Sequence, residues 1–173
     1  MRKNKLTHSG IKVISFVSIL LLTGVDQLIK YFVDIYLRPV GSKLIIPGIL
    51  QFSYYENDGA MMGMLSGKTT LMTVFAALCL VLVCYILYTG KMGFGLDFWC
   101  VVFITAGGVG NLIDRVFRGY VIDYIEVLFV DFYIFNFADC LVTCAAIVII
   151  ISQLYQFRNE LKKTKEEEKS SDG

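Results

Sequence analysis

Between Arg118 and Cys140 the chain reads "RGYVIDYIEVLFVDFYIFNFADC", a run of Val, Ile, Phe and Tyr interrupted by Asp123, Glu126, Asp131 and Asp139. Asp26 and Asp114 have similarly apolar neighbours. Lys30 and Arg115 are too few to neutralise Asp26, Asp114, Asp123 and Asp139 together. Two carboxylates brought together without a full cationic escort share a proton, and such a pair is the machinery of aspartic proteolysis. One, ionised, takes a proton from water, while the other, protonated, hydrogen-bonds the carbonyl under attack. The chain offers no better nucleophile, because its one His is His8, in the N-terminal tail. That leaves no Ser–His or Cys–His pairing.

Two other readings use the same residues. Acids at membrane depth also serve proton relays and ion sites, so a small ion- or proton-coupled transporter stays open. The purely structural reading is that Arg115 pairs with Asp114 or Asp26, while Asn111 and Asn136 bond across helices. A non-catalytic membrane scaffold is a third possibility.

The elements that position these groups are membrane spans. Of 173 residues, 56% are hydrophobic and only 18% charged, against about a quarter charged in a soluble domain. The apolar residues come in long blocks, which makes lipid the solvent. Four spans are expected, over residues 11–32, 69–89, 98–116 and 136–157, in one domain covering 1–157. The start, "MRKNKLTHSGIKVISFVSILLL", imitates a secretory signal. No A-x-A-like site follows it and three more apolar segments do, so a retained helix is expected. The first outer loop, 33–68, is rich in β-branched and aromatic residues with turn signals at Pro47-Gly48 and Asn57-Asp58-Gly59. It predicts a small β-like platform with a short interfacial helix. The end, "ELKKTKEEEKSSDG", is a mixed-charge tail, and residues 158–173 are expected to be disordered.

Most of the 16 Lys and Arg lie at the N-terminus, between spans two and three, and after span four. The positive-inside rule places those regions, and both termini, in the cytoplasm. Asp26 and Lys30, Asn57, Asn111, Asp114 and Arg115, Asp123, and Asn136 with Asp139 then all fall at the outer ends of their segments. Span order alone therefore brings polar groups from four segments to one depth. "TAGGVGN", residues 105–111, supplies small residues for close helix packing. It follows no strand and lacks the G-x-G-x-x-G spacing of a phosphate loop.

Composition excludes other classes. Net charge is +1 and no aromatic-interleaved basic patch exists, so no nucleic acid partner is expected. Cys79, Cys84, Cys100, Cys140 and Cys144 form no CxxC and all lie in apolar blocks. They read as small packing hydrophobes rather than zinc or redox ligands.

Five blocks occur in order: "DQLIK" (26–30), "NDGA" (57–60), "GNLIDR" (110–115), "GYVIDY" (119–124) and "FNFAD" (135–139). In these the chain resembles the lipoprotein signal peptidase family, signal peptidase II, over residues 11–157. The resemblance implies an all-α membrane protein of four helices with the small β-like platform. It implies an aspartic endopeptidase with Asp123 and Asp139 as its catalytic pair. Asp26, Lys30, Asn57, Gly59, Ala60, Gly107, Asn111, Asp114, Arg115, Asn136 and Ala138 would bind substrate or support the site. Glu126 and Asp131 match no block and read as solvated loop charges.

The implied substrates are diacylglyceryl-modified prolipoproteins, cut just before the lipidated cysteine. The implied setting is the bacterial cytoplasmic membrane, with membrane lipids as partners and the site near the outer leaflet surface. No cofactor or metal is required, and a monomer is expected. Two departures stand out: Met62, followed by Gly63, stands where the family often has an aromatic followed by Ser or Gly, and Cys140 stands where Ser is common.

Overall fold

A computed structural model describes residues 8–59, 69–89 and 94–171. Ala60, Met62 and Gly63 lie outside these residues. Four helices are long and apolar enough to cross a membrane. They are α1 (His8–Phe32), α2 (Thr69–Tyr88), α3 (Leu96–Phe117) and α4 (Phe137–Ser171). A π-helical turn (Val33–Leu37) and a 3-10 turn (Arg38–Val40) extend α1. These turns stand where a short helix was expected in the outer loop.

Three antiparallel strands follow the order β1-β2-β3. They are β1 (Ser42–Ile46), β2 (Leu50–Asn57) and β3 (Val121–Val127). The platform is thus a true sheet. It also takes a strand from beyond α3, where the sequence reading saw only a loop.

The bundle is apolar outside and polar inside. Leu20, Leu78 and Leu154 are each more than 60% exposed, while Asp26, Lys30, Asp114 and Asn136 are fully buried. In lipid this inversion is stable, because hydrocarbon is as good a surrounding for Leu as a protein core. Helices instead associate through close backbone approach and interhelical polar bonds.

α3 is the central helix. It packs on α1, α2 and α4, and each glycine of its "AGGVG" run faces a different neighbour. A Cβ on Gly107 would meet the Ala138 carbonyl and lie 2.9 Å from Val142 of α4. One on Gly108 would lie 2.8 Å from Leu80 of α2, and one on Gly110 would lie 2.5 Å from the Asp26 carboxylate of α1. The small residues at 105–111 therefore do the packing expected of them.

Gly119 ends α3. Its φ of 84° is the left-handed conformation that only glycine adopts freely. The chain then turns directly into β3. An apolar cluster of Leu37, Ile122 and Tyr124, packed by Ile29, Phe52 and Phe137, seats the sheet on the end of α1 and the start of α4. The sheet therefore lies at the end of the bundle where α1 and α3 finish and α2 and α4 begin.

Two sequence expectations are corrected. α4 continues as helix to Ser171, so residues 158–171 are not a disordered tail. Glu160, Leu161, Lys162 and Lys163 are good helix formers and extend a helix already nucleated by the span. Glu126 is not a solvated loop charge. It sits half-buried in β3, where its carboxylate accepts a hydrogen bond from the Ser53 hydroxyl and one from Gln51 Nε2 at 3.1 Å. Asp131 is exposed, as expected.

The five cysteines are free. Cys100 is buried within the bundle, and Cys79 and Cys144 lie on its exposed surface.

Candidate active site

The first turn of α4 holds the site together. A helix leaves its first N–H groups without helical partners, and here each has one. Phe137 N–H donates to the Tyr124 hydroxyl of β3 at 3.2 Å. Ala138 N–H donates to Asp26 Oδ1 of α1 at 3.1 Å. Asp139 N–H donates to Asn136 Oδ1 at 3.0 Å, and Asp139 Oδ2 accepts from the Asn136 N–H at 3.1 Å. The last two form a reciprocal capping box spelled by N-F-A-D. The block "FNFAD" is therefore a helix start that fixes the Asp139 carboxylate against its own backbone. Ala138, fully buried, has its carbonyl against Gly107, and a larger side chain there would have no space.

Asp123 reaches the same place from β3, where it pairs with Tyr55 across the ladder. Asn57 Nδ2 donates to its Oδ2 at 2.8 Å and Asn136 Nδ2 to its Oδ1 at 2.6 Å. Asn111 Nδ2 donates to Asp139 Oδ1 at 2.8 Å. Each of the four carboxylate oxygens thus accepts one N–H and retains a lone pair for water or substrate.

Asn136 Nδ2 also donates to Asn111 Oδ1 at 3.1 Å. The two acids are joined through this asparagine bridge. The amides are not free to flip. Asn57 Oδ1 accepts the Gly59 N–H at 3.0 Å, and Asn111 Oδ1 faces the Lys30 ammonium at 2.9 Å. An ammonium only donates, so Asn111 must turn its NH2 toward Asp139.

Lys30 is taken up by Asp26 and Asp114. Lys30 Nζ is 3.0 Å from Asp26 and 2.9 Å from Asp114, all three fully buried. With Asn111, these contacts use its three protons. Asp114 also accepts from Gln27 Nε2 at 3.3 Å and lies 3.4 Å from Arg118 Nε.

Arg115 pairs with neither Asp26 nor Asp114, contrary to the purely structural reading. It donates to the Gly59 carbonyl at 3.2 Å, and its Nε is buried without a partner among the described residues. The fields of Asp139 and Asp123 both act on its guanidinium.

A cavity of about 310 Å³ opens beside Asp123 and Asp139. Asn57, Asn111 and Arg115 line its polar end, and Ala76, Gly108, Val142 and Thr143 its apolar end. Tyr133 also lines it. Burial and the facing charge of Asp139 push the Asp123 carboxyl up to about 7, although hydrogen bonds from Asn57 and Asn136 oppose the shift. Burial likewise raises the Tyr133 phenol. No group of three or more His, Cys, Asp or Glu among the described residues is disposed to hold a metal.

The expected site residues that are described thus converge, from α1, β2, α3, β3 and α4. Gln27 and Tyr133 are additions. Gln27 lies inside the "DQLIK" block, where its i+1 position beside Asp26 was the available signal. Tyr133 is masked in sequence by an aromatic run.

The model of the family described as signal peptidase (SPase) II matches residues 18–155. The chain belongs to the signal peptidase II family. It is an enzyme of that family, an aspartic peptidase. It is 35% identical over 136 residues to the lipoprotein signal peptidase of Lactobacillus johnsonii, covering 79% of this chain and 88% of that protein. It is 36% identical over 137 residues to the lipoprotein signal peptidase of Streptococcus pyogenes serotype M5, covering 78% and 88%.

Two solved bacterial membrane enzymes share the fold. One, at 2.3 Å resolution, has a TM-score of 0.76 and 32% identity, covering 84% of this chain and 90% of that one. The other, at 1.9 Å, has a TM-score of 0.72 and 31% identity, covering 82% and 92%. Membership of the family accounts for a multi-pass membrane protein with lipoprotein signal peptides as its substrates.

Proposed function

We propose that Asp123 and Asp139 are the catalytic pair of a membrane endopeptidase that cuts diacylglyceryl-modified prolipoproteins just before the lipidated cysteine. The observation that carries this is the division of charge. Lys30 is fully engaged by Asp26 and Asp114. Asp123 and Asp139 face a cavity held by asparagine amides rather than by a cation. They are the two acids left to share a proton.

Burial and the charge of Asp139 raise the Asp123 carboxyl, which favours Asp123 as the holder of the shared proton. Asp139 stands in the first turn of α4, at the positive end of the helix dipole. Asp139 takes a proton from a water between them, and the water oxygen attacks the scissile carbonyl. Asp123 gives its proton to the carbonyl oxygen, producing a tetrahedral diol. On collapse the C–N bond breaks and the leaving amine takes the proton held by Asp139. A diol hydroxyl returns a proton to Asp123, and both acids are restored. Arg115, which lines the cavity, is placed to hold a peptide carbonyl of the substrate.

The apolar end of the cavity suits the lipid. Ala76 of α2 and Val142 and Thr143 of α4 line that end together, and α2 packs chiefly on α3, so lipid could enter between α2 and α4. Two acyl chains anchor the substrate in the bilayer, so the bond to be cut is confined to one depth and orientation. The positive-inside balance puts both termini in the cytoplasm of a bacterium and the site at the outer leaflet of its cytoplasmic membrane. The reading needs no second copy of the chain.

The test is incubation of the purified protein in lipid nanodiscs with a prolipoprotein, with and without its diacylglyceryl group. Mass spectrometry should find a new N-terminus at the lipidated cysteine and little cleavage of the unmodified substrate. Equal cleavage of both, or intact lipidated substrate, would contradict the proposal.

A further inference from the structure

The end of the sheet remote from Asp123 has no part in the chemistry. There Leu50 pairs with Val127, whereas Asn57 pairs with Val121 at the site end. Exposed apolar side chains crowd this far tip: Leu44, Ile45 and Ile46 of β1, Ile49 of the turn, and Phe129 and Val130 after β3. Phe129 is 72% exposed. The two turns are tied into one body, since Leu128 N–H donates to the Ile49 carbonyl and Ile49 N–H to the Ile46 carbonyl, each at 3.0 Å.

Every residue of β1 is exposed. Successive side chains of a strand point to opposite sides, so Leu44, Ile45 and Ile46 make both sides of this edge apolar. An edge strand in water is guarded by charge or proline within it. Here the one charge is Lys43, at the end away from the tip. A protein partner docking on one face would leave the other face wet. Lipid covers both.

The apolar surface is also continuous with a membrane span. A groove of about 330 Å³ joins α1 to the sheet, lined by Ile29, Phe32, Tyr36, Val40 and Phe52 with Lys43 at its edge. Tyr31, Phe32 and Tyr36 are exposed where α1 leaves the bundle, the side chains expected at a membrane–water boundary. Lys43 can lie along the groove with its ammonium among lipid headgroups. The bonds that tie the turns reduce the number of backbone groups left dry in hydrocarbon.

We propose that the sheet tip is a membrane-inserted element, its apolar side chains dipping into the interfacial region of the leaflet at the sheet end of the bundle, where headgroups and water still meet the open edge of β1. Val127 lies four residue steps along β3 from Asp123, about 13 Å of strand. Insertion would therefore hold Asp123 at a fixed height above the lipid that anchors the substrate.

Trp99 is the only tryptophan, so a Phe129→Trp substitution in a Trp99→Phe background reports on the tip alone. The probe is phosphatidylcholine vesicles containing chain-brominated phosphatidylcholine. The tip Trp should lose most of its emission to the brominated lipid and stay protected from aqueous iodide. Quenching by iodide and not by brominated lipid would overturn the proposal, since the tip would lie in water. Protection from both would also overturn it, since protein would cover the tip. Ile49→Trp in the same background gives the same reading should the first variant fail to fold. The readout does not depend on catalysis.

Discussion

Asn136 and Asp139 cap each other: the Asn136 side chain accepts the Asp139 N–H at 3.0 Å, and the Asp139 side chain accepts the Asn136 N–H at 3.1 Å. The same asparagine donates to Asp123 at 2.6 Å. One residue therefore starts α4, orients one acid and bridges to the other. The helix start and the site are a single construction.

Asn136 separates its two roles by substitution. Asn136→Ala removes the cap and should cost about 1 kcal/mol of stability together with most of the activity. Asn136→Ser restores a capping oxygen but not the amide bridge to Asp123. It should recover stability in a thermal unfolding assay without recovering the cleavage rate. Recovery of both would reduce Asn136 to a cap.

Asp123 sets a pH dependence. Its carboxyl is raised from the usual range to about 7. Between about pH 4 and 7 the folded chain holds a proton that the unfolded chain has lost. Stability therefore falls as pH rises through that window, by at most about 1.4 kcal/mol per unit. Asp123→Asn should flatten this slope in detergent unfolding measurements. Activity of the unaltered protein should decline above about pH 7, where Asp123 loses its proton. A rate still rising beyond pH 8 would assign the proton elsewhere.

The buried Lys30 ion pairs predict a stability phenotype. Lys30→Met leaves Asp26 without a cation and Asp114 with only Arg118, 3.4 Å away, and should cost about 3–5 kcal/mol. Asp114→Asn should be milder, with residual cleavage that follows the folded fraction. Complete inactivity of a fully folded Asp114→Asn protein would move Asp114 into the chemistry.

Gly107 and Gly108 are adjacent but should respond differently. A Cβ at Gly107 runs into the backbone carbonyl of Ala138, which cannot give way without moving the first turn of α4. One at Gly108 meets the end of the Leu80 side chain at 2.8 Å, which can rotate. Gly107→Ala should lower both the melting temperature and the cleavage rate, and Gly108→Ala should leave the melting temperature nearly unchanged. Equal losses would mean that α3 packs differently from this account.

Much of this was legible in the sequence because lipid imposes simple rules. Long apolar blocks gave the spans, and span order alone carried Asp26, Asn57, Asn111, Asp123 and Asp139 to one end. What was hidden depends on partners distant in the chain. "VIDYIEV" is a strand because β2, more than sixty residues earlier, offers it an edge. Without that partner it reads as a loop, and Glu126 reads as solvated. The choice of Lys30 over Arg115 as partner of Asp114 turns on which face of α3 meets α1. Charge counting does not encode that face. The tail was misread because its composition suits both disorder and a helix, and the preceding span decides between them.

The most direct measurement is signal-peptide release by purified Asp123→Asn and Asp139→Asn proteins beside the unaltered chain, with thermal unfolding as a check that all three are folded. Each substitution should abolish release while the protein remains inserted and folded. Normal release by either variant would contradict the assignment of that residue, and with it the shared proton on which the mechanism rests.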